Sequence, residues 1–389
     1  MDPTLARLLP EDGGRAALIG RVWLPEVQGP AVVAVRGERV IDISDQYPTS
    51  SDLFDCTDPA TAAQYAEGQD LGAVTDLLER SLRVRGDLGQ MHLLSPNDLQ
   101  AVKASGVTFI TSLLERVVEE QARGNPAAAD EVRQSLVDAI GADLSQVRPG
   151  SPLAASLKAE LQRRGYWSQY LEVGIGPDAE VFTKCLPMAS VGFGADIGIL
   201  PSSSWNNPEP EIVLCVSSRG HIVGATLGND VNLRDMEGRS ALLLGRAKDN
   251  NASCAIGPFI RLFDRHFDLD TVRHLELHMT VRGSNGYELQ GRSSMREISR
   301  DPAELVRQTI NEHHAYPDGL VLFLGTMFAP KEDRFAAGQG FSHAIGDEVD
   351  IHTPTLGVLT NRVVYTNEAP RWRFGVRALM RNLQGRGLL

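Results

Sequence analysis

The sequence lacks any apolar run long enough to cross a bilayer, and its opening residues, MDPTLARLLPEDGG, contain no basic stretch followed by an apolar core. Neither a secretory leader nor a membrane anchor is expected, so the expected location is cytoplasmic. Cysteine is scarce: Cys56, Cys185, Cys215 and Cys254 lie far apart with no CxxC pair, which argues against a disulfide framework and a thiolate zinc site. Four reduced, mostly buried thiols are expected. Positive charge is also short, with 38 basic against 50 acidic residues and a net charge of -12, which opposes binding to nucleic acid or an anionic membrane. Any anionic small molecule would need cations gathered locally. Internal repeats and low-complexity tracts are absent. What remains is a chain of 389 residues, 42% hydrophobic, long enough to bury a large core.

Along the chain, AVVAVRGERVIDIS reads as two short strands around Arg36-Gly37, and AVTDLLERSLRVR reads as a helix. A small N-terminal α/β domain is expected over residues 1–92, followed by a larger domain over 93–389. Helices are expected from TFITSLLERVVEEQ to near Gly124-Asn125-Pro126, in DEVRQSLVDAIG, in PLAASLKAELQRRG and in DPAELVRQTINEHH. His313 and His314 would then end a helix, while His343 and His352 fall in strand-like segments and suit packing more than chemistry. After Glu172, short apolar runs recur between Gly, Pro and Asn: EIVLCVS, HIVGATLG, HLELHMTVRG, GLVLFLGT, GDEVDIHTP. Such spacing indicates a β-rich, mostly antiparallel α+β fold.

The stretch from Trp205 to Arg234, WNNPEPEIVLCVSSRGHIVGATLGNDVNLR, can gather three carboxylates from one hairpin. Glu209 and Glu211 are two apart and share a face in an extended segment. A two-residue loop at Arg219-Gly220 pairs Ser218 with His221, and counting back sets Glu209 opposite Asp230 on that face. Like charges packed this closely repel unless protonated or bridged, and an all-oxygen set suits Mg²⁺, Mn²⁺ or Ca²⁺. The alternative is a solvated strand terminus. Pro210, which cannot donate to a ladder, places both glutamates at a strand's start.

Six blocks then resemble the fumarylacetoacetate hydrolase superfamily in order and spacing, covering nearly everything from Leu94 onward: PDAEVFTK, EPEIVLCVS, GNDVNLRD, GLVLFLGTMFAP, GDEVDI and LGVLTNRV. The resemblance implies a mixed β-sandwich roll, a homodimer, and Glu209, Glu211 and Asp230 as ligands of Mg²⁺ (or Mn²⁺). Many family members carry N-Y-x-x-H-x-x-E, whose histidine and glutamate do acid/base work; the matching run here is TFITSLLE, with Thr108, Phe109, Ser112 and Glu115. Ser112 replaces the histidine, which removes the usual base for hydrolysis. GVTFITSLLERVVEEQ, SQYLEVGIGPDAEVFTK and KDNNASCAIGPF are most similar to the branch that dehydrates 2-keto-3-deoxy sugar acids.

That resemblance implies a lyase converting a small 2-oxo sugar acid, 2-keto-3-deoxy-D-pentonate, to 2,5-dioxopentanoate through a metal-stabilised enolate. Glu115, Lys248 and Ser112 would be catalytic, and Thr326, Arg234, Lys184 and Phe109 would bind substrate. For Glu115 the other reading is a helix-surface glutamate, for Lys248 and Lys184 a solvated charge, for Arg234 a structural ion pair, and for Thr326 a turn residue. Alternatives on the same scaffold are an acylpyruvate hydrolase, an oxaloacetate-type decarboxylase, or a metal-binding module without catalysis.

Overall fold

The computed structural model describes residues 8–12, 14–123, 125–129, 147–164 and 167–389, and it is the β-rich α+β architecture expected. The strands, in chain order, are β1 (Leu18–Leu24), β2 (Gly29–Arg36), β3 (Arg39–Asp42), β4 (Gln69–Ala73), β5 (His92–Leu94) and β6 (Ala101–Gly106). Next come β7 (Glu180–Cys185), β8 (Asp196–Ile199), β9 (Asn206–Asn207), β10 (Pro210–Val216), β11 (Ile222–Asp230) and β12 (Asn232–Leu233). The chain continues through β13 (Cys254–Leu262), β14 (Glu276–Arg282), β15 (Glu288–Ser294), β16 (Leu320–Phe323), β17 (Glu348–Thr353) and β18 (Gly357–Tyr365).

Eleven of these strands form one sheet in the order β4-β3-β2-β1-β13-β11-β10-β16-β6-β7, with β5 also paired to β1. A five-stranded sheet runs β15-β14-β17-β18-β8, and β9 pairs with β12. Burial explains the two patterns of sequence. Strands β10 and β13 are buried at every residue because both faces of the large sheet are covered, whereas β14, β15 and β17 alternate between buried and more accessible residues. On β10, Ile212, Leu214 and Val216 join the main core toward Leu277, Met279, Ile351 and Leu359 of the smaller sheet. Its other face carries Val213 and Cys215, which join Leu53, Phe54 and Ala63 of the helices Ser50–Asp55 and Pro59–Tyr65. A third cluster joins the helices Ile110–Gln121, Pro152–Arg164 and Gln169–Ile175 through Leu113, Val117, Leu161, Leu171 and Ile175, with Trp205.

The strands of residues 1–92 continue the large sheet, Leu18 pairing with Arg261 and Ile19 with Ile260, so no break in the sheet falls at residue 92. The expected helix at DPAELVRQTINEHH stops at Thr309; His313 and His314 lie in a turn in which Asn311 and His314 exchange backbone hydrogen bonds. DEVRQSLVDAIG lies outside the described residues. His352 is in β17, while His343 lies buried in a loop beside Asp347. All four cysteines are free, three of them buried. Among the described residues, no helix is long and apolar enough to cross a membrane.

The hairpin that carries the acidic residues shows how local chemistry sets register. Ser217 donates to the carbonyl of His221, and Gly220, at φ 79°, donates to Ser217, so the loop has three residues rather than two. A left-handed glycine at this position is what a three-residue hairpin requires. The shift this introduces is absorbed by an irregularity at Cys215/Val216, after which Pro210 faces Asn229 and Glu211 faces Gly228. Glu209 therefore still faces Asp230, whose amide donates to its carbonyl at 3.0 Å.

Candidate active site

Glu209 precedes β10, Glu211 lies one residue inside it, and Asp230 ends β11. All three are at most 2% exposed, and each offers a carboxylate oxygen within 4.8 Å of the other two. Gly228 makes the packing possible: a Cβ there would meet Phe323 at 2.3 Å and Val213 at 2.6 Å.

Burying three like charges is costly unless cations surround them. Lys248 Nζ lies 2.5 Å from Glu209 Oε2 and 2.9 Å from Asp230 Oδ2. Arg116 donates to Glu209 and, at 2.6 Å, to Glu119, and stands 3.0 Å from Glu237. Arg234 reaches Glu119 at 3.1 Å, donates to the carbonyl of Pro330 and lies over the Trp205 ring. Burial works against ionising Glu209, but Arg116 and Lys248 outweigh it and hold this carboxyl well below the usual range. Lys248 is likewise held protonated, with Asp230 and Glu209 outweighing burial.

Glu211 is the exception. Its oxygens accept the Gly325 N–H at 2.7 Å and stand 3.4 Å from Thr326 Oγ1, with no lysine or arginine paired to it among the described residues. Burial, then the neighbouring Asp230 and Glu209 charges, push its proton affinity well up.

Among the described residues, six carboxyls (Glu119, Glu180, Glu209, Glu211, Asp230, Glu237) thus cluster with four cations (Arg116, Lys184, Arg234, Lys248). Fully ionised, they leave two uncompensated negative charges, the deficit one divalent cation cancels. The hard oxygen-only donor set fits Mg²⁺ or Mn²⁺.

The other expected residues fall in distinct places. Lys184 is fully buried with its donors used internally: it donates to the carbonyls of Val231 at 3.1 Å and Lys248 at 2.5 Å and stands 2.7 Å from Asp230 Oδ1. It staples both ends of the segment from Asp230 to Lys248, a positioning geometry rather than a solvated charge. Arg234 is in an ion pair, as one of its two readings held. Thr326 sits against Glu211. Phe109 is the N-cap residue of the helix Ile110–Gln121, with its side chain in the main core. Ser112 lies in the first turn of that helix, its side chain outside the described residues. Glu115 is buried and paired with Lys331 at 3.1 Å, lining a cavity of about 250 Å³ with Arg292, Ser293, Met327 and Phe328.

Sequence reasoning missed Arg116, Glu119, Glu237, Lys331 and Glu180. Glu180 had a readable signal, since on β7 it lies two and four residues before Phe182 and Lys184 and so shares their face. Lys184 reaches Asp230, and the Phe182 ring lies 5.8 Å from Lys248 Nζ. Burial and then the Glu237 charge push the Glu180 carboxyl up to about 7.

Residues 191–364 match the model of the fumarylacetoacetate (FAA) hydrolase C-terminal domain. A probable 2-keto-3-deoxyxylonate dehydratase of Haloferax volcanii is 30% identical over 275 residues, spanning 68% of this chain and 91% of the relative. A 2-dehydro-3-deoxy-D-arabinonate dehydratase of Saccharolobus solfataricus is 30% identical over 184 residues, 47% of this chain and 58% of that one. Among solved structures, a 2-keto-3-deoxy-D-arabinonate dehydratase complexed with magnesium and 2,5-dioxopentanoate superposes with a TM-score of 0.62 at 20% identity, covering 90% of this chain and 99% of the other. The similarity in sequence, extending over nearly the whole of the Haloferax relative, identifies this chain as a member of the fumarylacetoacetate hydrolase family.

Proposed function

We propose that the protein is a divalent-metal-dependent hydro-lyase that removes water from 2-keto-3-deoxy-D-pentonate, of the xylonate or arabinonate series, to give 2,5-dioxopentanoate. The observation that carries this reading is the buried acidic triad with Lys248 bridging two of its members. The dehydratase names of the two relatives support the substrate class.

Glu209, Glu211 and Asp230 would hold the cation, which when bound supplies Lewis acidity that polarises the 2-keto group and acidifies C3. Lys248 places a permanent positive charge where the keto oxygen gains electron density, and Thr326 offers a hydroxyl at the substrate carboxylate. Glu180, poised near neutrality, accepts the C3 proton. Glu115, facing the Lys331 cavity, serves the departing 4-hydroxyl. One C3 hydrogen and the C4 hydroxyl leave as water; a proton then moves from C5 to C3, which gives the C4=C5 enol, and the enol hydroxyl's proton passes to C4 as the C5 aldehyde forms. No hydrolytic water is consumed, consistent with Ser112 standing where many relatives carry histidine.

Incubation of purified protein and Mg²⁺ with 2-keto-3-deoxy-D-xylonate should yield 2,5-dioxopentanoate. Turnover of acylpyruvates or oxaloacetate with none of the sugar acid would contradict the assignment. Because the proton acceptor must be ionised, kcat/KM should rise with pH through an apparent pKa near 7, the value toward which burial and Glu237 push Glu180. Glu180→Gln should remove that acidic limb and lower kcat by about a hundredfold or more. An unchanged limb in this variant would exclude Glu180 as the acceptor.

A further inference from the structure

The cavity beside Glu115 has an exposed rim and a buried interior. Arg292, Glu297, Lys331 and Glu332 line the rim, whereas Glu115, Ser293 and Met327 are buried. Met327 ties the interior to the acidic triad. Its amide donates at 3.1 Å to the carbonyl of Pro210, which stands between Glu209 and Glu211, and it directly follows Thr326.

Ser293 breaks the pattern of its own face. The buried positions of β14 and β15 are Leu277, Met279, Val281, Leu289, Gly291 and Ser293, so one hydroxyl sits on an otherwise apolar surface. Ser293 is 7% exposed, lines the cavity, and has no hydrogen-bond partner for its hydroxyl among the described residues. A buried hydroxyl is costly unless it is bonded, and buried polar groups nearly always are. Gly291, two residues earlier on the same face, is equally specific: a Cβ there would meet the Phe328 ring at 2.4 Å. The bare backbone at Gly291 lets Phe328 lie against β15 as a wall of the cavity beside Ser293.

We propose, on the dehydratase reading given above, that Ser293 binds the C5 hydroxyl of the sugar acid and that Phe328, seated on Gly291, bounds the pocket for that end. With the 2-keto acid end on the triad and C4 at Glu115, C5 is the next carbon along the cavity. Its hydroxyl can both donate to Ser293 Oγ and accept from it. A site built to bond a hydroxyl rejects the analogue that lacks it, because the buried partner is then left unpaired.

Steady-state kinetics on 2-keto-3-deoxy-D-pentonate and on 4-hydroxy-2-oxopentanoate of the same C4 configuration tests this, since the second compound differs only in carrying hydrogen for the C5 hydroxyl. Wild type should favour the first by at least about tenfold in kcat/KM. Ser293→Ala should lose about tenfold or more on the pentonate, mainly through KM, while changing by less than about twofold on 4-hydroxy-2-oxopentanoate. This variant should also melt no lower than wild type, because it removes a buried hydroxyl that has no partner in the described fold. Phe328→Ala should raise the kcat/KM ratio of the six-carbon homologue, 2-keto-3-deoxy-D-gluconate, to the pentonate by about tenfold. Equal losses on both five-carbon substrates in folded Ser293→Ala, or a wild type indifferent to the C5 hydroxyl, would overturn the role of Ser293. An unchanged ratio in folded Phe328→Ala would overturn that of Phe328. Wild type that turns over neither five-carbon substrate would overturn the dehydratase reading itself, and this pocket assignment with it.

Discussion

Glu211→Gln should abolish turnover and at the same time make the metal-free protein more stable. The two effects have one cause. Glu211 is the triad member with no cationic partner among the described residues, and burial plus the Asp230 and Glu209 charges disfavour its ionised form. A carboxyl whose folded-state pKa is raised contributes stability that is fully present below the unfolded value and is lost as pH rises through the folded one. Metal-free wild type should therefore lose thermal stability between weakly acidic and alkaline pH, and Mg²⁺ should restore more of it at pH 8 than at pH 5. In Glu211→Gln the amide can still accept the Gly325 N–H, the repulsion disappears, the pH-dependent loss should shrink to the part that Glu119 and Glu180 contribute, and the Mg²⁺ rescue should vanish. Activity should fall at least about a thousandfold, the scale set by several kcal/mol of lost Lewis-acid stabilisation. Melting curves with and without chelator, alongside single-point kinetics, measure both. A variant that is active, or that still gains stability from Mg²⁺, would contradict the role given to this carboxylate.

Arg116→Met is expected to be the most damaging single change to the fold. Its guanidinium is shared by Glu119, Glu209 and Glu237, all buried, and it fastens the helix Ile110–Gln121 to the hairpin. Removing one partner of a buried charge cluster leaves the others unpaired, at a cost of about 3–5 kcal/mol. Denaturant unfolding at pH 7.5 should show a loss of that order. A conservative Arg116→Lys should recover part of it, because an ammonium keeps the charge but not the planar fork that reaches several acceptors. A loss below about 1 kcal/mol for Arg116→Met would mean that the three carboxyls find other partners.

The contrast between these residues shows what the sequence made legible. Glu209, Glu211 and Asp230 could be read together because strand alternation and hairpin register are local rules, and the register came out right although the loop is one residue longer than expected. The irregularity at Cys215/Val216 absorbs the difference. Arg116 and Glu119 could not be assigned to this site from spacing alone. They sit on a helix some ninety residues before the hairpin, and helical periodicity says which residues share a face but not which strand that face meets. Lys184 could be placed near the site by its motif, yet its role turns on carbonyls at positions 231 and 248, and backbone acceptors leave no mark in a sequence. The N-terminal strands read correctly as strands. That they extend the large sheet through Leu18 and Arg261 is long-range pairing, which no local pattern encodes.

The central claim is that three carboxylates from one hairpin hold a single divalent cation at the reacting centre. Diffraction from crystals soaked in Mn²⁺, recorded near the manganese absorption edge, tests it directly. One anomalous peak per chain at bonding distance from oxygens of Glu209, Glu211 and Asp230, lost in Glu211→Gln crystals, is the expected result. A peak elsewhere, or full turnover by protein whose crystals show none after exhaustive chelation, would contradict it.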